Sequence, residues 1–168
     1  MIELVRGNLV HQDVDAIVNA ANTSLLGGGG VDGAIHAAAG RELLVECRTL
    51  GGCATGSAKI TRGYGLKARH VIHAVGPVYS GSPRDAEILA STYRACLRIA
   101  IDRELSSIAF PSISTGAYRY PVDRAASVAV RTVLDHRGSL LVRFVLFDQA
   151  THDSYQRALT AALAGGLT

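Results

Sequence analysis

An α/β fold of three layers, with a mixed β-sheet between two layers of helices, follows from three features of the sequence. Apolar β-like runs alternate with helical patterns along the chain. Two of these runs, Val71-Ile72-His73-Ala74-Val75 and Ile108-Ala109-Phe110, are short and almost continuously apolar, as strands covered by helices on both faces are. The 168 residues, 48% hydrophobic and 18% charged, suffice for one domain, spanning 1–168, with a real core.

The elements are read in order. Ile2-Glu3-Leu4-Val5 predicts a first strand at 2–6, and this strand with the long connection after it is where the sheet is expected to become mixed. A second strand is predicted at 15–19, followed by helices at 31–39 and 41–50 and strands at 57–62 and 70–75. Ile88, Leu89, Ala95, Cys96, Ile99 and Ala100 fall mostly at helical spacing, which predicts a helix over 84–104. A strand at 106–111 comes next. Pro121 suits the first turn of a helix, where its missing N–H has no partner to lose, and Val122, Ala126, Val130 and Val133 extend that helix over 121–137. A strand at 140–147 and a helix at 151–164 end the pattern.

Charge and cysteine usage exclude several classes. The net charge is +3 and the arginines are scattered, so no nucleic-acid footprint is present, although a weak positive field helps recruit a small anion. Cys47, Cys53 and Cys96 are odd in number and form no CxxC, against a disulfide framework or a zinc site. Neutral, buried thiols in a reducing cytoplasm are expected. No apolar run is long enough to span a membrane, and the chain opens directly on a strand pattern with no signal-peptide pattern. A cytoplasmic protein with no membrane partner is therefore expected.

The most informative segment runs from Asn19 to Gly40. Ala16-Ile17-Val18 leads into Asn19 and Asn22, then Gly27-Gly28-Gly29-Gly30, then Asp32 at the start of an Ala-rich helical pattern. Glycine backbone can lie against a ligand, and amides at a helix start bind anions. A carboxylate there repels a phosphate. It makes more sense facing a hydroxyl or a water beside one, although an Asp near a helix start also serves as a cap or dipole partner. A purely structural cap does not need four glycines in front of it. Asn19 and Asn22 suit either buried backbone at a strand end or a ligand. His36, one turn after Asp32, reads mainly as a packing or supporting residue, and His73 as a structural hydrogen-bonding group.

A second cradle follows strand 106–111. Ser112-Ile113-Ser114-Thr115-Gly116-Ala117-Tyr118 combines small hydroxyl residues, a glycine and the start of the next helix. Both cradles lie at the carboxyl ends of strands, where open α/β sheets bind ligands. Two of them imply a ligand with two phosphates, or one diphosphate gripped from both sides. Tyr118 could wall off a sugar or simply pack, and Phe147 reads as ordinary core at the same edge. Gly28, Gly30 and Gly33 formally match G-x-G-x-x-G, but the stretch Asn19 to Leu26 separates them from their strand and no acidic residue follows at the spacing a dinucleotide fold needs. No Walker motif and no G-x-S-x-G nucleophile elbow is present.

These residues resemble the macrodomain family, in its MacroD-type branch that includes bacterial O-acetyl-ADP-ribose deacetylases. The resemblance rests on Val14-Asp15-Ala16-Ile17-Val18-Asn19-Ala20-Ala21-Asn22, on Leu26 to His36, on Val71-Ile72-His73-Ala74-Val75-Gly76-Pro77 and on Pro111 to Tyr118, in order across nearly the whole chain. It implies an ADP-ribose cleft at the top of the sheet. Asn22 would bind the distal ribose, and Asp32 would hold that ribose and the attacking water, making these two the catalytic pair. Gly29, Gly30, Val31 and Gly33 would line the diphosphate from one side and Ser114, Thr115, Gly116 and Ala117 from the other. Tyr118 would cover the distal ribose and Phe147 would pack near the adenosine, with Asn19 and Ala21 also among the ligand-binding residues. Asn8 and Leu9 would meet the adenine, and Asn8 stands where the family usually has Asp, so weaker adenine binding is expected. Ala37 stands where it often has Arg.

The resemblance implies hydrolysis of O-acetyl-ADP-ribose and of ADP-ribose esterified to acidic side chains of mono-ADP-ribosylated proteins. The expected mechanism is an activated water, with no cofactor, metal or covalent nucleophile required. The rival is a non-catalytic module that reads ADP-ribose on its partners, which would share both loops. Asn22, Asp32 and Gly27 to Gly30, which such a module could lose, favour the hydrolase.

Overall fold

The computed structural model describes residues 1–165; Gly166 to Thr168, the last residues of the predicted domain, lie outside them. Six strands form one sheet: β1 (Ile2–Arg6), β2 (Ala16–Ala20), β3 (Ala58–Arg62), β4 (His70–Ala74), β5 (Ser107–Phe110) and β6 (Leu141–Leu146), in spatial order β1-β6-β5-β2-β4-β3. The helices are α1 (Gly30–Ala39), α2 (Arg41–Arg48), α3 (Arg84–Asp102), α4 (Val122–His136) and α5 (Gln149–Gly165). Each predicted element is present with ends shifted by at most two residues, except for one short 3-10 turn at Leu9–His11 that periodicity does not reveal.

The sheet is mixed, but not at the strand expected. β1 runs parallel to β6, and β3 is the strand that runs antiparallel, against β4. The cause is local. Only the segment 63–69 joins β3 to β4, and Gly63 bonds back to the carbonyl of Arg69 at 2.8 Å. A link this short closes a hairpin and cannot make a parallel crossover.

Strand alternation divides the interior into two layers. Ala16, Val18, Ile72, Ala74, Phe110 and Phe144 face one side, where α3, α4 and α5 pack. Ile17, Val71, Val75, Ala109 and Val145 face the other, with Ile35 of α1 and Leu43 of α2. β2 lies between β5 and β4. The chain leaves β2 through α1 on one face of the sheet and leaves β5 through α4 on the other. A crevice therefore opens between these two connections at the carboxyl ends of adjacent parallel strands, the switch point of an open α/β sheet.

Candidate functional site

A cleft of about 680 Å³ occupies this crevice. One wall is the loop after β2 with the start of α1, including Ala21, Asn22, Gly29, Gly30, Val31 and Asp32. The opposite wall is the loop after β5, Ser112 to Tyr118, and the outer end is formed by Leu146, Phe147, Asp148 and Thr151.

The first wall is shaped by short-range bonds. The Asn22 side chain accepts from the Ser24 amide at 3.1 Å and hydroxyl at 2.6 Å, and its amide donates to the Gly27 carbonyl at 3.0 Å, folding the loop back on itself. Gly27 and Gly30 take φ of +94° and +57°, where a side chain is strained. Gly33 has another reason to be glycine. A Cβ there would lie 2.6 Å from the Gly28 carbonyl oxygen, so its absence lets the loop rest on α1.

The second wall is tied to the core from below. Tyr93 and Tyr155 are fully buried and belong to a ring cluster with Phe110 and Phe144. The Ile113 amide donates to the Tyr93 hydroxyl at 3.2 Å, and the Tyr155 hydroxyl donates to Ser112 Oγ at 2.9 Å. Ser114 adopts φ +69°. Its Oγ is buried without a partner among the described residues, and a Cβ on Gly76 would collide with it.

Many donors at the cleft are backbone. Among the described residues, the N–H groups of Gly27 to Asp32 and of Ser114 to Tyr118 have no protein acceptor. Gly28 to Val31, Gly116 and Ala117 are exposed, and unpaired donors on two facing loops form a receptor for anionic oxygens. No Lys or Arg lines the cleft among the described residues; its charged side chains are Asp32 and Asp148. Asp148 accepts from the Thr151 amide at 2.8 Å and so caps α5, a bond that holds its carboxyl below the usual carboxylate range.

Asp32 is the exception in this setting. It is buried on the first turn of α1. Oδ1 accepts from Asn19 Nδ2 at 2.8 Å and lies 3.4 Å from His36 Nε2. Oδ2 lies beside Gly28, where a Cβ would come within 3.2 Å of it and 3.5 Å of Asn22 Nδ2. The missing Cβ keeps that oxygen and the Asn22 amide clear.

The structure brings together most of the residues expected from sequence: Ala21, Asn22, Gly29, Gly30, Val31, Asp32, Ser114, Thr115, Gly116, Ala117, Tyr118 and Phe147 all line the cleft. Phe147 is not core as its sequence suggests; it is 89% exposed at the mouth. Four others do not line it. Asn19 is fully buried beneath Asp32, and Gly33 packs against Gly28. Leu9 is buried in the layer with α1 and α2. Asn8 caps the Leu9–His11 turn, its Oδ1 accepting from the Val10 amide at 3.1 Å. Gly76, Asp148 and Thr151 also line the cleft without having been expected; the first two follow the ends of β4 and β6, which is the signal that could have found them. A smaller cavity of about 410 Å³ lies between the start of α3 and α4. Its carboxylate, Asp85, is already bonded to Ser80 and Gly81. Among the described residues no group of three or more His, Cys, Asp or Glu is gathered to hold a metal ion, and no helix is long and apolar enough to cross a membrane.

Comparison with known proteins adds four relations. The Macro domain family model matches residues 18–129. A macrodomain of Oceanobacillus iheyensis solved with ADP superposes with a TM-score of 0.93 at 42% identity, covering 98% of this chain and 92% of that one. A Trypanosoma brucei macrodomain in complex with ADP-ribose gives 0.87 at 43% identity, covering 94% and 68%. The ADP-ribose glycohydrolase MACROD2 of Xenopus laevis is 56% identical over 134 residues, which are 79% of this chain and 32% of that protein.

Proposed function

The chain belongs to the Macro domain family, and from that premise we propose that it binds ADP-ribose in the switch-point cleft and hydrolyses esters at the distal ribose. The observation that carries the reading is Asp32: a buried carboxylate in a cleft that has no Lys or Arg among the described residues and is flanked by two loops of unpaired backbone N–H groups. Phosphate binding alone does not call for it. The Trypanosoma brucei relative binds ADP-ribose, and the Xenopus laevis relative bears the name of a hydrolase.

In this reading the diphosphate lies between the two loops and accepts hydrogen bonds from their amides. The distal ribose meets Asn22, Asp32 and Tyr118, and Phe147 closes over the adenosine. Asp32 orients a water and takes its proton, alone or with help from the ligand's own phosphate, as the water adds to the ester carbonyl. Amides of the Gly28 to Gly30 segment stabilise the oxyanion. The ribose hydroxyl then leaves with a proton and the acid is released. Substrates of this kind are O-acetyl-ADP-ribose and ADP-ribose esterified to Asp or Glu of a protein.

Incubating the protein with both substrates tests the proposal. Release of acetate from the first, or of free ADP-ribose from the second, is expected. Saturable binding without release would make the chain a reader of ADP-ribose instead, and no binding at millimolar ligand would overturn the proposal as a whole.

A further inference from the structure

We propose that Asn19 and His73 are positioning residues which, with Thr61, form a buried chain of hydrogen bonds that holds the Asp32 carboxylate with one oxygen anchored and the other facing the cleft. The inference rests on the reading of Asp32 as the group that activates water.

The chain begins in the sheet register. β2 and β4 pair Asn19 with His73, and both side chains enter the layer otherwise filled by Ile17, Val71, Ile35 and Leu43. Both residues are fully buried. Polar groups in an apolar layer are costly unless they find partners; Asn19 Oδ1 has none among the described residues, and the partners of its nitrogen determine how the amide and the ring are set. Asp32 Oδ1 can only accept, so the nitrogen of Asn19 must face it, at 2.8 Å. The same nitrogen lies 3.2 Å from His73 Nδ1, so its second hydrogen goes there and Nδ1 must be the unprotonated atom. The proton of the neutral ring is then on Nε2, which lies 2.9 Å from Thr61 Oγ1, while that hydroxyl donates to the Arg62 carbonyl at 3.1 Å. Cys47 Sγ, at 3.7 Å from Nε2, is a weaker second neighbour. A flipped Asn19 amide would set its oxygen against the carboxylate.

The ring stays neutral because burial, and then the neighbouring His36, pushes its pKa down to about 4. With Oδ1 committed to Asn19, Oδ2 is the oxygen left beside Gly28 and Asn22. Asn19 and His73 do not line the cleft; they act through Asp32. Without an acceptor at His73, the Asn19 amide is free to turn and the carboxylate loses its anchor.

The first measurement is the imidazole nitrogen spectrum of the wild-type protein at pH 7. The Nε2–H tautomer of His73 is expected; an Nδ1–H tautomer or an imidazolium overturns the proposal. The second compares wild type, His73→Leu and His73→Gln for turnover of O-acetyl-ADP-ribose and for ADP-ribose affinity by calorimetry. His73→Leu is expected to lower kcat on the order of ten- to a hundredfold, as small misplacements of reacting groups do, with affinity kept within about threefold. His73→Gln is expected to recover most of kcat, because its carboxamide can accept from Asn19 and donate to Thr61. Unchanged kcat in His73→Leu, parallel losses of kcat and affinity, or no recovery in His73→Gln overturns the proposal. If His73→Leu does not fold, Thr61→Val takes its place, with a smaller loss of kcat expected and unchanged kcat overturning it. A wild-type protein that turns over no substrate would instead defeat the reading of Asp32, and the tautomer would still test the hydrogen-bond chain.

Discussion

Asp32 is 5% exposed and sits among backbone donors suited to an anion that its own charge repels. Its benefit therefore belongs to the transition state more than to binding. Asp32→Ala is expected to lower turnover by about 10²–10⁴, the range for loss of a general base, while ADP-ribose affinity by calorimetry stays near wild type. Near-normal turnover would assign water activation to the substrate's phosphate. His73 allows a second expectation at this scale. The unfolded chain binds a proton on this residue below about pH 6.5, the folded chain only below about 4. Between those values protons favour the unfolded state, so stability falls as pH falls from 6.5 to 4 and is unaffected by this group above that window. The full loss is roughly 3 kcal/mol. Denaturant unfolding at pH 7 and pH 4 should show this extra loss in wild type and not in His73→Gln. An equal loss in both would place the acid sensitivity on other groups.

At the scale of elements, α1 and the glycine loop before it behave as one unit because of Gly33. Its missing Cβ admits the Gly28 carbonyl, whereas a Cβ on Gly29 would meet nothing within 4 Å and the φ of Gly29 is −93°. Gly33→Ala should lower the melting temperature even though Ala is the better helix former by about 1 kcal/mol, since the carbonyl must shift. Gly29→Ala should leave the melting temperature nearly unchanged. Thermal scans of the two variants without ligand check this; equal shifts would mean that the close approach at Gly33 relaxes freely. The antiparallel placement of β3 belongs to this scale too. The pattern at 57–62 reads as a strand, but its direction depends on how few residues join it to β4.

Across the whole molecule, a mild positive charge and a cleft without Lys or Arg divide recruitment from binding. In the proposed reading the diffuse field attracts an anion, and the unpaired amides of the two walls hold it. Binding should therefore stabilise the fold. At about 100-fold over its dissociation constant, ADP-ribose should add roughly 2.7 kcal/mol, a rise of about 5–10 °C in melting temperature for a domain of this size. Differential scanning calorimetry with increasing ADP-ribose measures it, and no shift at millimolar ligand would deny the cleft its ligand. Acetate at the same concentration, which lacks the diphosphate and both riboses, should do far less.

Local physics made much of this protein legible in its sequence. The periods of apolar residues mark the six strands and five helices of the described residues, because burial on one face or both imposes them. The glycine run, Asp32 and the Ser114 to Tyr118 loop together point to a cleft, since bare backbone and small hydroxyl residues at two strand ends suit the approach of an anion. What the sequence did not determine is where a side chain goes when distant segments compete for it. Asn8, Asn19 and Gly33 look like ligand contacts, yet a turn amide, a carboxylate and a carbonyl claim them. Asn19 and His73 stand 54 residues apart, and only the β2–β4 register makes them neighbours. Sequence sets which residues can hydrogen-bond; tertiary structure sets which donor reaches which acceptor, because those distances exist only once the sheet has formed.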